Sequence, residues 1–278
     1  MPPSTIGIIG DPVVHSRSPL MHNAAFAHLG LAITYERWRT PATELAQRIA
    51  TLREPHILGA NVTLPHKTAV CPLLDALEAE AARIGAVNTI YKREDGTLVG
   101  ANTDAPALIV TLQEEACWQP AGRNVVILGA SGAARAAACA LLGGGVAQLV
   151  IANRTLDRAE NLLADAVEGE WGEGVMIALA LDDEVIATYL AECDLLINAT
   201  SIGWHADETP YPNPPVGPQT IVYDMVYRPT RLLADAQARG ARTFTGMGML
   251  LHQGALAFSR WTNQPAPLAV MRAALERE

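Results

Sequence analysis

Short apolar runs alternate with longer amphipathic stretches along most of this chain. Residues 6–10 form an apolar run before a turn, and Ser18-Pro19 then offers a hydroxyl N-cap followed by proline at the first helical position. The helix they open runs through Met21, Ala24, Ala25, Phe26 and Leu29 and stops at Gly30. Residues 33–39 and 57–63 fit strands, and 43–53 fit a helix with Leu45, Ile49 and Leu52 on one face. The spacing predicts a helix over 73–84 and a strand over 87–92. From Asn124 onward the alternation sharpens. Residues 124–128, 148–152, 195–198 and 221–224 are apolar strands, with helices running on to Leu142 and over 155–166. After Gly246 the pattern is helical again, over 249–261 and 268–275. Strands that are apolar on both faces, separated by helices, point to an α/β fold with a parallel sheet covered by helices.

The length of 278 residues suits two domains or one large one, with core enough to need no staple. Half the residues are apolar and 18% are charged, which excludes a disordered chain. A net charge of −9 with no Lys/Arg run argues against nucleic acid as a partner. Cys71, Cys117, Cys139 and Cys193 are scattered, so neither a zinc ribbon nor a disulfide framework is indicated and a reduced compartment fits. Met1-Pro2-Pro3-Ser4 lacks the basic-then-apolar order of a signal peptide. The most lipid-like stretch, 136–152, contains Gln148 and the triplet Gly143-Gly144-Gly145, and fits a buried helix, turn and strand better than a membrane span. A soluble cytoplasmic protein with no membrane partner is the expectation; monomer and homodimer both stay open.

The strand 125–128 leads into Gly129-Ala130-Ser131-Gly132-Ala133-Ala134-Arg135. Strand, tight turn and helix N-terminus in this order make a dinucleotide-binding context, in which backbone N–H groups face a pyrophosphate. Ser131 occupies the middle glycine position, so the turn taken alone also fits a plain strand–helix connection. The tip of the next strand adds weight. It reads Asn153-Arg154-Thr155, with Arg158 one turn on, and carries no carboxylate for a ribose 2′-hydroxyl. A guanidinium there suits the 2′-phosphate of NADP.

Polar segments cluster in the first 105 residues: His15-Ser16-Arg17-Ser18-Pro19, Asn61-Val62-Thr63-Leu64-Pro65-His66-Lys67, Asn88-Thr89 and Asn102-Thr103-Asp104. Small polar residues at strand ends suit a hydroxylated or carboxylated ligand. In an extended segment Ser16 and Ser18 share a side and can grip a carboxylate, or they simply turn and cap the helix. Asn61 and Thr63 likewise share a face. Lys67 follows a proline-directed turn, and an ammonium near a polar pocket can donate a proton to a forming alkoxide, with Asp104 as its partner; a solvated surface charge is the alternative for each. No metal site is expected, because the seven histidines include no H-E-x-x-H spacing. His15-Ser16 is a poor nucleophile pair, since neighbours in an extended chain face opposite ways and no G-x-S-x-G elbow exists. The Asn-x-Thr triplets at Asn61, Asn153 and Asn198 all fall inside candidate binding segments, so they are not taken as glycosylation sites.

With these segments in place, nearly the whole chain resembles the shikimate dehydrogenase family. The resemblance runs through Gly10 to Pro19, Asn61 to Lys67, Gly85 to Thr89, Asn102 to Asp104, Gly129 to Ala134, Asn153 to Thr155, Asn198 to Gly203, Tyr223 to Tyr227, Gly246 to Leu250 and Gln253 to Phe258, in order. It implies NADP-dependent interconversion of 3-dehydroshikimate and shikimate, on the route to chorismate and the aromatic amino acids. It implies Lys67 and Asp104 as the catalytic pair. Ser16, Ser18, Asn61, Thr63, Asn88, Tyr227 and Gln253 would contact substrate. Gly129, Ala130, Ser131, Gly132, Ala133, Asn153, Arg154, Thr155 and Arg158 would hold NADP, with Thr200, Met225 and Gly246 at its nicotinamide end. It also implies a mixed α/β substrate domain, residues 1–105 completed by 248–278, and a Rossmann-like NADP domain, 106–247, with a cleft between them. Ser131 and Trp204, where the family often has Gly and Met, are mild departures. Two rivals remain: a quinate/shikimate paralogue using NAD or NADP, and a non-catalytic dinucleotide-binding regulator.

Overall fold

In the computed structural model, which describes residues 4–205 and 207–277, the alternating pattern resolves into two six-stranded sheets. Residues 1–3, on which the reading of the N-terminus partly rests, and 278 lie outside the described residues. The chain divides into two compact units, Met1–Asp104 with Leu250–Glu278, and Ala105–Met249.

The first unit holds β1 (Ser4–Gly10), α1 (Ser18–His28), β2 (Ile33–Arg39), α2 (Leu45–Thr51), β3 (Ile57–Val62), β4 (Ala76–Leu77), α3 (Ala79–Ile84), β5 (Thr89–Lys92) and β6 (Leu98–Ala101). Its sheet order is β2-β1-β3-β5-β6-β4. β1 runs parallel to β2 and β3, while β5 is antiparallel to β3 and β6, so this sheet is mixed. Ile9, Leu52, Val62, Ile90 and Leu98 are among the side chains that close its core.

Two local expectations are corrected here. Arg17, not Ser18, is the N-cap of α1; Ser18 is already helical, and its N–H donates to Ser16 Oγ at 3.3 Å. Residues 73–84 are not one helix. Asp75 accepts two N–H bonds from Arg53 and the backbone N–H of Leu98, which draws residues 76–77 out as β4 beside β6. Of that range only 79–84 are α-helical, and Leu73 ends a short 3-10 turn, Cys71–Leu73.

The second unit follows with α4 (Asp104–Ala116), which belongs to it from Ala105 on, β7 (Asn124–Leu128), α5 (Gly132–Gly143), β8 (Gln148–Asn153), α6 (Leu156–Glu168), β9 (Val175–Ala180), α7 (Ile186–Glu192), β10 (Leu195–Asn198), β11 (Ile221–Asp224), α8 (Arg231–Ala238) and β12 (Arg242–Thr245). All its strand pairs are parallel, in the order β9-β8-β7-β10-β11-β12. Counted within the unit this is 3-2-1-4-5-6, the doubly wound dinucleotide-binding order, with its switch point between β7 and β10. Ligands of such sheets bind at the carboxyl ends of the strands beside that point.

The chain ends with α9 (Met247–Thr262) and α10 (Leu268–Glu276), which from Leu250 on belong to the first unit. The Trp261 indole N–H donates to the Ile90 carbonyl at 2.9 Å, and any side chain at Gly59 would run into that ring. Arg260 forks onto Glu78, and Arg17 Nη2 donates to the Leu275 carbonyl at 2.6 Å. Among the described residues no helix is long and apolar enough to cross a membrane.

Candidate active site

Lys67 and Asp104 meet. The Lys67 ammonium lies 2.6 Å from Asp104 Oδ2, and 13% and 6% of the two side chains are exposed. Lys67 sits in the turn after β3, where its backbone carbonyl accepts the Val87 N–H at 2.8 Å. Asp104 opens α4, whose N-terminal partial positive charge favours a carboxylate. Its N–H donates to Asn102 Oδ1 at 3.0 Å, and Asn102 Nδ2 in turn donates to the Ala86 carbonyl at 2.9 Å.

Asn88 fixes the other oxygen. Its Nδ2 donates to Asp104 Oδ1 and to Thr103 Oγ1, both at 2.9 Å, and its Oδ1 accepts the Thr103 N–H at 2.8 Å. The carboxylate is thereby oriented from one side by an amide and from the other by an ammonium. Lys67 keeps further N–H donors for a substrate oxygen. Gln253 on α9 stands behind this group, with Oε1 3.5 Å from Asn88 Nδ2 and Nε2 donating to the Leu250 carbonyl.

Ser16 is half-buried and Ser18 is buried; because Ser18 is helical, the shared side expected of an extended pair does not arise by strand alternation. Arg37 holds the Ser16 carbonyl with two N–H bonds, at 2.7 and 3.1 Å. Asn61 is buried at the end of β3, and its Nδ2 donates to the Asn88 carbonyl and to Thr89 Oγ1. Its Oδ1 accepts the Tyr35 hydroxyl at 2.6 Å, and Tyr35 also bonds the Ser18 side chain. Tyr35 thus bridges two of the expected substrate residues, yet nothing in the sequence singles it out. Burial holds its phenol far above the usual range. Thr63, half-buried, lies one residue beyond β3 with its N–H on the Ile9 carbonyl.

In the second unit the Gly129 turn takes the form a phosphate cradle requires. Gly129 has φ +105°, and a Cβ there would stand 2.8 Å from Thr200 Cγ2. Ser131 uses the middle position differently from a glycine: it N-caps α5 by accepting the Ala134 N–H, and it donates to the Ala199 carbonyl at 2.9 Å. The first N–H groups of α5, at Gly132 and Ala133, have no intrahelical acceptor by geometry and suit a pyrophosphate oxygen. At the end of β8, Asn153 donates to the Thr155 carbonyl at 2.8 Å, and Arg154, Thr155 and Arg158 are exposed. A glycine turn that no side chain can fill, open helix N–H groups and two exposed guanidinium groups after the next strand fit a phosphorylated dinucleotide.

Met225 and Gly246 follow β11 and β12 directly, and Thr200 lies two residues past the end of β10. The Thr200 N–H and hydroxyl both donate to Asn198 Oδ1, at 3.0 and 2.7 Å. Gly246 donates its N–H to the Val226 carbonyl. Tyr227 is half-buried, with the Trp204 ring edge-on at 4.9 Å. Below these turns lies Asp224, fully buried; burial pushes its carboxyl up to about 6, against the pull of hydrogen bonds from Thr230, Val226 and Asn198.

The comparisons with known proteins cover the same ground. A family model described as the shikimate dehydrogenase substrate binding domain matches residues 8–90. One described as shikimate / quinate 5-dehydrogenase matches 111–204, and the shikimate 5′-dehydrogenase C-terminal domain matches 246–276. The NADP(+) shikimate dehydrogenase of Moorella thermoacetica is 47% identical over 270 residues, 96% of this chain and 90% of that protein. The shikimate 5-dehydrogenase of Thermus thermophilus, solved with NADP(H) and shikimate, aligns with a TM-score of 0.84 at 37% identity over 99% of each chain. The quinate dehydrogenase of Corynebacterium glutamicum, solved with NAD, aligns at 0.87 and 30% identity over 98% of each. Identity at this level over nearly the full length leaves one conclusion: the chain belongs to the shikimate dehydrogenase family.

Proposed function

We propose that Lys67 and Asp104 form the acid–base pair of an NADP-dependent shikimate dehydrogenase, which reduces 3-dehydroshikimate to shikimate reversibly. The observation that carries this is the 2.6 Å contact between the two side chains, nearly closed to water and oriented by Asn88. NADPH, when bound, supplies the hydride to the keto carbon. Lys67 donates a proton to the oxygen on which negative charge develops, and in the reverse direction accepts it. Asp104 hydrogen-bonds the same oxygen's proton and keeps the ammonium aimed. A placed acid of this kind contributes roughly 10²–10⁴ in rate, and fixed positive charge beside the oxyanion adds to it.

In this reading the first unit holds the ring acid. Ser16 and Ser18 take the carboxylate, with Tyr227 assigned to it as well, and Asn61, Thr63, Asn88 and Gln253 face the ring hydroxyls. The second unit holds NADP: residues 129–133 take the pyrophosphate, and Asn153, Arg154, Thr155 and Arg158 the adenosine 2′-phosphate. Thr200, Met225 and Gly246 take the nicotinamide end.

The test is absorbance near ~340 nm, the reduced-nicotinamide band, with shikimate or quinate offered alongside NADP or NAD. Turnover chiefly with shikimate and NADP is expected. Turnover favouring quinate or NAD would move the chain to the paralogous activity, and folded protein that binds NADP without turnover would make it a regulator.

A further inference from the structure

Thr200 and Met225, assigned above to the nicotinamide end, both stand on turns, and neither turn is held by its own backbone alone. Asn198 ends β10 and Asp224 ends β11; they are register partners, and both are fully buried. The Asn198 amide uses every hydrogen-bonding site it has. Oδ1 accepts the Thr200 N–H and hydroxyl, and Nδ2 donates to the Ile202 carbonyl at 3.0 Å and to Asp224 Oδ1 at 2.9 Å. Asp224 Oδ1 also accepts the Val226 N–H at 3.0 Å, and Oδ2 accepts the Thr230 hydroxyl at 2.7 Å. Met225 closes the circuit by donating its N–H to the Asn198 backbone carbonyl at 3.0 Å.

All three partners of the Asp224 carboxylate are neutral donors. An acceptor with two oxygens and no hydrogen is the side chain that satisfies them without a clash of like groups. Burying that charge is costly, so a group doing no more than filling space would not be a carboxylate. The knot joins turn 199–203 to turn 225–230. The adenosine-end residues follow β8, which is separated from β11 by β7 and β10, about 14 Å at the usual strand spacing.

We infer that Asp224 is a positioning residue for the nicotinamide half of the cofactor site, acting through Asn198 and Val226 on Thr200 and Met225. The inference rests on the functional reading above. It demands selectivity: loss of Asp224 weakens what touches the nicotinamide and spares what touches the adenosine 2′-phosphate.

Calorimetric dissociation constants for NADP+ and for adenosine 2′,5′-bisphosphate, which lacks the nicotinamide, test it. In Asp224→Ala the NADP+ affinity falls about tenfold, while adenosine bisphosphate binding stays within about twofold. Thr230→Val, which removes one of the three donors, shows the same selectivity at about threefold. Equal weakening of both ligands, or no change in either, overturns the inference. Should Asp224→Ala fail to fold, Thr230→Val decides by the same criterion. Wild-type protein that binds neither ligand and turns over neither ring acid overturns the functional reading, and this inference falls with it.

Discussion

Lys67 Nζ and Asp104 Oδ2 are 2.6 Å apart although their parent segments, a turn after β3 and the first residue of α4, are 37 positions apart in the chain. Removing the ammonium takes away the proposed proton donor and leaves the carboxylate unpaired. Lys67→Ala is expected to lower kcat by about 10²–10⁴ with a modest change in KM for shikimate. Steady-state rates at saturating NADP measure this, and a near-normal kcat would remove Lys67 from the chemistry.

Asn88 supplies the amide that orients Asp104 and also bonds Thr103 on both sides. Asn88→Ala strands buried polar groups at a cost of about 1–3 kcal/mol in unfolding free energy. A fall in kcat should accompany it, since Asp104 loses its second anchor. Denaturant unfolding beside steady-state kinetics reads both, and unaltered kinetics would show that Lys67 alone fixes the carboxylate.

Arg154 is exposed at the tip after β8. Arg154→Ala should raise KM for NADP while leaving the use of NAD little changed, because only NADP carries the 2′-phosphate. An equal loss with both cofactors would take Arg154 out of that site.

Gly129 combines φ +105° with a Thr200 methyl 2.8 Å from the position of a Cβ. Gly129→Ala is expected to cost about 1–3 kcal/mol of stability through backbone strain. It should also weaken NADP, since the cradle must shift. A variant as stable as wild type with unchanged NADP affinity would contradict the tight turn.

Burial raises the Asp224 carboxyl to about 6, against about 3.9 in an unfolded chain. The folded state therefore binds this proton more tightly, and the stabilisation it gives is present at low pH and lost as pH rises through about 4 to 6. The unfolding free energy of wild type relative to Asp224→Asn should drop by about 2 kcal/mol between pH 4 and pH 7. A difference that does not vary with pH would mean that the carboxyl is not desolvated.

The polar residues at strand ends are legible because they break an otherwise apolar pattern, and that signal is local. Lys67, Asn88 and Asp104 stand out as single residues before any partner is known. Tyr35 does not. It sits in Tyr35-Glu36-Arg37-Trp38, which reads as an ordinary strand, and its partners Ser18 and Asn61 lie 17 and 26 positions away. The misread helix over 73–84 has the same origin. Leu73, Leu74 and Leu77 carry a helical spacing, but Asp75 is claimed by Arg53 and by the Leu98 backbone, contacts that only the folded sheet supplies. Helix α4 has a usable cue that periodicity overlooks: Asn102-Thr103-Asp104 followed by Pro106 in the first turn. Asp224 falls within the segment Tyr223 to Tyr227 but gains no role from it, because an aspartate ending an apolar strand shows its burial only once its neighbours are in place.

The division of the chain into an interrupted first unit and a continuous second one also sets an order of completion. A ribosome finishes residues 105–249 before it has made any of 250–278. Until then Ile90 lacks the Trp261 indole, Glu78 lacks Arg260, and Arg17 lacks the Leu275 carbonyl. The second unit is thus complete in sequence while the unit bearing Lys67 and Asp104 is still waiting for helices α9 and α10. The contacts that close the unit around Lys67 and Asp104 therefore wait for residues 250–278, however early the second unit has been made.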